Sequence, residues 1–398
     1  MKKHLFGLCG LFAGAAVAAD VIVPQVEYVT TEGGTGKLFV SYKLDKPAVV
    51  TFDITTNGVP LNLDILGTAK GDVWRLLPAG THAFTWKVYK SIPRDVDVAD
   101  AKVRVKAWSV GQPPDYMVID IKNTNGEIFY YETAGQLPGG IGHNDYKSTK
   151  LVMRKIPAAY KWSRLGRLGV ADGNTDTPRQ VLLTADYYLG VYELTAAQNT
   201  VMKTGEAATD ANPCRASFNS VIDSIPTYVS HTGLQFGLPT ASQWEFACRA
   251  GTETDLYTGE NIISDTESPN LDAIAWYGYN SGNPAGTLSN VSYHPVGLKQ
   301  PNGFGLYDML GNVWEYSHDH SKEYRSWKEY VDHDFGINSS NTMVARHGGS
   351  YDMGANHCRA TGYLANLKSN ANDTQQGVNG GYNGNGGFRL CLPCRAVR

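Results

Sequence analysis

The stretch from Asp308 through Met309, Leu310, Gly311, Asn312, Val313 and Trp314 to Glu315 holds the residue types best suited to chemistry. Carboxylates stand at both ends and a glycine in the middle, so such a loop can fold carboxylate and main-chain carbonyl oxygens around one hard cation. Ca²⁺ takes about six to eight oxygen ligands of this kind. His318-Asp319-His320 with Asp332-His333-Asp334 offers donors for a transition metal. Adjacent polar residues in an exposed loop are, however, ordinarily solvated.

The elements that must position the acidic loop are only partly periodic. Thr240 precedes Ala241-Ser242-Gln243-Trp244-Glu245, with Gln243 three positions on, a capping-box pattern that starts a short helix over 241–249. Trp244 and Cys248, four residues apart on that helix, share one face and are expected in the core. Upstream the text is strand-like. Lys37–Tyr42, Val50–Ile54, Ala83–Val88 and Val103–Trp108 alternate in character, and turn residues such as Asn57-Gly58 and Pro78-Ala79-Gly80 separate them. That spacing predicts an all-β immunoglobulin- or fibronectin-like sandwich over 20–112. Gly111-Gln112-Pro113-Pro114-Asp115 breaks the pattern, so a connecting segment over 113–150 and a second, loop-rich α+β domain over 151–398 follow.

Met1-Lys2-Lys3-His4, an apolar run from Leu5 to Val17 and small residues before Asp20 have the order of a secretory signal peptide over 1–19. Export to a periplasmic, cell-surface or extracellular location is therefore expected, and the apolar run is too short for a bilayer span. Six cysteines are present. Removing Cys9 with the leader leaves Cys214, Cys248, Cys358, Cys391 and Cys394, an odd set whose pairing spacing alone does not give. A net charge of −3 with 18% charged residues lacks the basic footprint of a nucleic-acid binder. The 43 glycines and 23 tyrosines suit irregular backbone packed by planar side chains, not a helical bundle.

Four segments in order carry a resemblance: Tyr188–Thr195, Leu238–Gly251, Asn302–Glu315, and Gly348-Gly349-Ser350-Tyr351 followed by Gly387-Phe388-Arg389. Over roughly 151–398 the chain resembles the formylglycine-generating enzyme (sulfatase-modifying factor) family. The resemblance implies a C-type-lectin-like fold and a calcium held by the Asp308 side chain, the Gly311 and Val313 carbonyls and the Glu315 side chain. It also implies a substrate groove near Trp314, Ser350 and Arg389 for an extended peptide or a glycan. In copper-dependent members two cysteines after the Gly-Gly-Ser segment hold Cu(I), and oxygen activated there converts a substrate cysteine to formylglycine. Those two positions here are Met353 and Cys358.

Met353 offers a neutral thioether where copper chemistry uses a second thiolate, which puts copper and the oxidoreductase activity in doubt and leaves Cys358 as the single catalytic candidate. A second departure lies between Pro226 and Leu238, where the amphipathic helix that members carry is not apparent. The resulting expectation is a binding member of the family, with metal-dependent oxidation of a protein cysteine as the alternative. His347 and His357 are expected as hydrogen-bonded pocket residues.

Overall fold

The computed structural model describes residues 21–30, 36–56, 59–60, 69–86, 102–167, 177–282, 291–318, 329–332, 343–367 and 383–395. The expected leader over 1–19 lies outside them, as do His320 and His333 of the exposed metal-donor candidate. Two compact units emerge. The described residues within Met1–Ile119, Glu127–His143 and Cys394–Arg398 make the first, and those within Asp120–Gly126 and Asn144–Pro393 the second.

Regular structure in the first unit is almost wholly strand among the described residues. Gly36–Leu44 pairs antiparallel with Val21–Thr30 on one side and Gly80–Trp86 on the other. Ala48–Thr56 pairs with Lys102–Ser109 along its length. Alternation turns Val40, Tyr42, Phe52, Ile54, Phe84 and Trp86 inward, because successive strand side chains point to opposite faces. Phe52 is the hub, with its ring centroid 5.0 Å from Trp74 and 4.8 Å from Phe84. On the same strand Asp53 is held by Arg104 and Lys106.

Among its described residues the second unit mixes short strands with three α-helices. Tyr187–Gly190 pairs antiparallel with Lys150–Ile156 and with Cys391–Pro393. Trp314–Tyr316 lies between Met343–His347, antiparallel, and Gly386–Gly387, parallel. Helix α1 (Ala196–Thr204) and helix α3 (Ala241–Arg249) each open on a complete capping box, Thr195 with Gln198 and Thr240 with Gln243. Trp244 and Cys248 of α3 are fully buried in a cluster with Met309, Cys358 and Cys391, as their shared face requires.

Helix α2 (Phe218–Thr232) corrects the sequence reading. Pro226 stands inside it, although a proline forgoes one helical hydrogen bond and usually breaks the element. Packing overrides that cost: Phe218, Val221, Ile225 and Tyr228 form a buried stripe. Ser217 caps the N-terminus and Gly233, at φ 72°, closes the C-terminus in the left-handed conformation. An amphipathic helix is thus in place just before the Leu238–Thr240 segment, running through the residues read as non-helical. The departure expected between Pro226 and Leu238 is therefore no loss of that helix.

Candidate functional site

Strand pairing sets the first centre. Trp314–Tyr316 faces one way with its aromatic rings and the other with Glu315, and its parallel partner Gly386–Gly387 delivers Arg389 two residues later. Arg389 Nε donates to both Glu315 oxygens at 2.9 and 2.7 Å, and its Nη2 donates to Oε1 at 2.5 Å. The remaining donors reach the Gly190 and Tyr307 carbonyls, both at 2.9 Å. Trp244 Nε1 of α3 donates to Glu315 Oε2 at 2.7 Å. Arg389 is 0% exposed. It therefore ties the strand of Tyr187–Gly190, the acidic loop and α3 together from within, not from the lip of an open groove.

The acidic loop wraps round this pair. Asp308, Gly311 and Asn312 all take positive φ, 54°, 75° and 55°, which reverses the chain direction within five residues. A Cβ on Gly311 would lie 2.2 Å from the Trp276 carbonyl oxygen, so only glycine fits. Asp308 Oδ2 accepts from the Gly297 amide at 2.6 Å. Glu193, just before Leu194 and Thr195, accepts from Asn312 Nδ2 at 2.6 Å and from the Val313 amide at 3.1 Å. Burial, followed by the fields of Asp308 and Glu315, raises the Glu193 carboxyl well above its ordinary value. Burial likewise raises Asp308, to about 6, against the opposing Gly297 hydrogen bond and Arg389 field.

Three buried carboxylates thus share the guanidinium of Arg389, with the buried Lys147 ammonium acting on Asp308 from a distance. This excess of negative charge fits a divalent cation. Among the described residues no group of three or more His, Cys, Asp or Glu side chains is placed to hold a metal ion. A set of two carboxylates and two main-chain carbonyls falls outside that description, and Glu315 would have to share its oxygens between Arg389 and the ion.

The second centre is the Gly-Gly-Ser turn. Gly349 has φ 78°, and a Cβ there would lie 2.5 Å from the Cys358 sulfur, so the turn closes directly onto that thiol. Cys358 is fully buried, its sulfur 3.9 Å from the Ser350 carbonyl oxygen. Burial first, then the Asp352 field, pushes its pKa up to about 12. Cys214 and Cys248 also carry free buried thiols, and burial pushes Cys214 up to about 11. His347 stacks on Trp244 and meets Ser317 Oγ at 3.0 Å. Burial drops its pKa to about 3, leaving it neutral. His357 sets its ring edgewise to Trp314 at 5.9 Å.

Ser350, fully buried, donates from Oγ to Asp352 Oδ1 at 2.5 Å. Asn385 Nδ2 donates to both Asp352 oxygens at 2.9 and 3.0 Å, and Arg346 Nη1 donates to Asn385 Oδ1 at 3.2 Å. The Arg346 guanidinium lies 5.5 Å from the Trp314 ring centroid.

Residues 215–391 match the model of the sulfatase-modifying factor enzyme 1-like domain. They form such a domain. The formylglycine-generating enzyme of Mycobacterium tuberculosis is 43% identical over 82 residues, 20% of this chain and 26% of that protein. The mouse enzyme of the same name is 31% identical over 121 residues, 30% of this chain and 32% of that protein. A bovine protein named inactive C-alpha-formylglycine-generating enzyme 2 is 31% identical over 141 residues, 34% of this chain and 40% of its own length. The chain therefore spans about a quarter to two fifths of these relatives. The expected mixed architecture, mostly strands with few helices, is the one the described residues adopt.

Within the sulfatase-modifying factor domain, Asp308, Gly311, Val313 and Glu315 lie on one loop around Arg389. Trp314 and Ser350 border a separate corner with Cys358. Met353 is half-buried, and its carbonyl accepts from the Gly278 amide at 2.8 Å. A copper pair of thiolates does not fit this corner, since one of the two positions, Met353, is a thioether. Glu193, Asp352 and Asn385 are the residues sequence reasoning missed. Glu193 sits inside a quoted family segment, but no local pattern distinguished it from an ordinary surface carboxylate.

Proposed function

We propose that this chain is an exported binding member of the sulfatase-modifying factor family, stabilised by calcium at the Asp308–Glu315 loop, that takes an extended peptide or glycan and does not oxidise it. The observation that carries this reading is Cys358. Its thiol is fully buried, and Met353 stands where copper chemistry uses the second thiolate. The β-rich first unit, read as an immunoglobulin- or fibronectin-like module, serves as a spacer or docking element, since its strands bring no clustered His or Cys.

The decisive experiment supplies purified protein with Cu(I), oxygen, reductant and a sulfatase-type cysteine peptide, then reads the peptide by mass spectrometry. The expected result is unchanged peptide. Conversion of the cysteine to formylglycine, abolished by Cys358→Ser, would overturn the reading. It would support the alternative, a metal-dependent oxidoreductase acting on a protein cysteine, which the similarity to named formylglycine-generating enzymes favours. Met353→Cys should raise Cu(I) affinity, because a soft thiolate replaces a thioether.

A further inference from the structure

The corner between Ser350 and Asn385 is lined by donors. Ser350 Oγ and Asn385 Nδ2 converge on one carboxylate, that of Asp352. Asn385 is itself oriented by Arg346, which is 3% exposed and feels the Asp352 field from its buried position. Trp314 lies beneath that guanidinium. It is 0% exposed, and its Nε1 is buried with no acceptor among the described residues. Ser350 and Asn385 are also 0% exposed, whereas Asp352 is only half-buried, on a turn that reaches the surface.

At the rim, Arg215 sets its guanidinium 4.2 Å over the Tyr293 ring, donates to the Gly384 carbonyl at 2.9 Å and bonds the Tyr351 side chain. Tyr293 and Tyr351 meet edge to face at 5.7 Å. A buried hydroxyl and a buried amide that both donate to one carboxylate, with the amide held from behind by a guanidinium, suit an oxyanion, since hydrogen bonds to an ionised acceptor are the strong ones. Asp352, the carboxylate that accepts from Ser350 and Asn385, sits on the exposed side.

We propose that Ser350, Asn385 and Arg346 form a carboxylate-binding cradle that the chain fills with its own Asp352, and that external carboxylates compete for it. This deepens the binding reading above by giving the ligand a required group, a carboxylate presented on an extended peptide. Asp352 acts as a plug at high effective concentration, so an outside carboxylate meets a raised apparent dissociation constant.

Acetate is the probe, with chloride at equal ionic strength as the control. Asp352→Ala empties the cradle while leaving its donors. Its melting temperature should fall in chloride and recover in acetate, with a saturable dependence. The Trp314 indole resonance should shift along the same curve, and wild-type protein should need about tenfold more acetate or beyond for the same shift. Adding Asn385→Ala to the variant should abolish the response. The proposal is overturned if Asp352→Ala answers acetate no better than chloride, if the double variant still answers, or if wild type shows no indole shift at molar acetate. Should Asp352→Ala not fold in chloride, its refolding yield in acetate against chloride decides in the same way. None of these readouts depends on the peptide-oxidation assay, so the two readings fail separately.

Discussion

Two buried carboxylate centres in the second unit carry opposite charge balances. Glu245 of α3 is met by Arg249 at 2.8 Å and Arg179 at 3.0 Å, and it accepts the Gly166 amide at 2.7 Å. Burial alone would raise its pKa, but the two guanidiniums outweigh that and hold it below the ordinary value. At the other centre Glu193, Asp308 and Glu315 share Arg389, and burial with mutual repulsion raises Glu193 and Asp308. The first centre is complete as a clasp between α3 and the strand Arg179–Leu183. The second is built with charge left over, and a cation that completes it would stabilise the fold by binding.

The largest effect that tests this contrast is expected from Arg389→Met. Removing one partner of a buried pair leaves an uncompensated charge and costs about 3–5 kcal/mol. Three carboxylates would be stranded at once, so the variant should be largely unfolded by circular dichroism and denaturant titration. Arg179→Met should be much milder, because Arg249 stays on Glu245. Equal losses in the two variants would erase the distinction between the centres.

Calcium is expected to come next. At a free concentration about a hundredfold above its dissociation constant, a ligand adds about 3 kcal/mol to stability. Chelation should therefore lower the melting temperature of wild-type protein, and Asp308→Ala should be insensitive to it. Glu245→Gln, although destabilised, should keep its calcium response. An unchanged wild-type melt on chelation would remove the site.

The pH dependence separates the centres by sign. Asp308 has a folded pKa near 6 against an ordinary 3.8. In that window the native state binds more protons than the unfolded one, so the metal-free protein should gain stability as pH falls through 6. Glu245 is lowered from 4.5, so its contribution is present above that value and is lost as pH falls through its folded pKa. Denaturant melts in chelator should show a rise on mild acidification followed by a fall, and excess calcium should flatten the rise. A monotonic loss from neutral pH in chelator would contradict the charge excess.

The smallest effect is expected at the cap of the helix carrying Glu245. Thr240→Ala should cost about 1 kcal/mol by loss of the Gln243 amide's acceptor, with the calcium response intact. A changed response would mean that the two centres are coupled through α3.

Much of this was legible beforehand, where a few neighbouring residues complete the interaction. The Thr240–Gln243 capping box closes within one helical turn, and strand alternation names the inward face of Val40, Tyr42 and Phe52. Glycine at 311 and the carboxylates at 308 and 315 mark a tight acidic loop. The Met353/Cys358 mismatch is visible without coordinates. What the sequence left open are choices of partner across long separations. Arg389 reads as a groove residue until its bond to Glu315, 74 positions away, shows it buried. Glu193 joins the acidic loop across 120 positions through the Val313 amide, and Asp352 meets Asn385 across 33. Helix α2 crosses Pro226 because its buried stripe outweighs one lost hydrogen bond. The physical reason is common to all four. Local hydrogen bonding and periodicity are written into adjacent residues, whereas the partner of a buried charge is decided by which surfaces the whole chain brings together out of water.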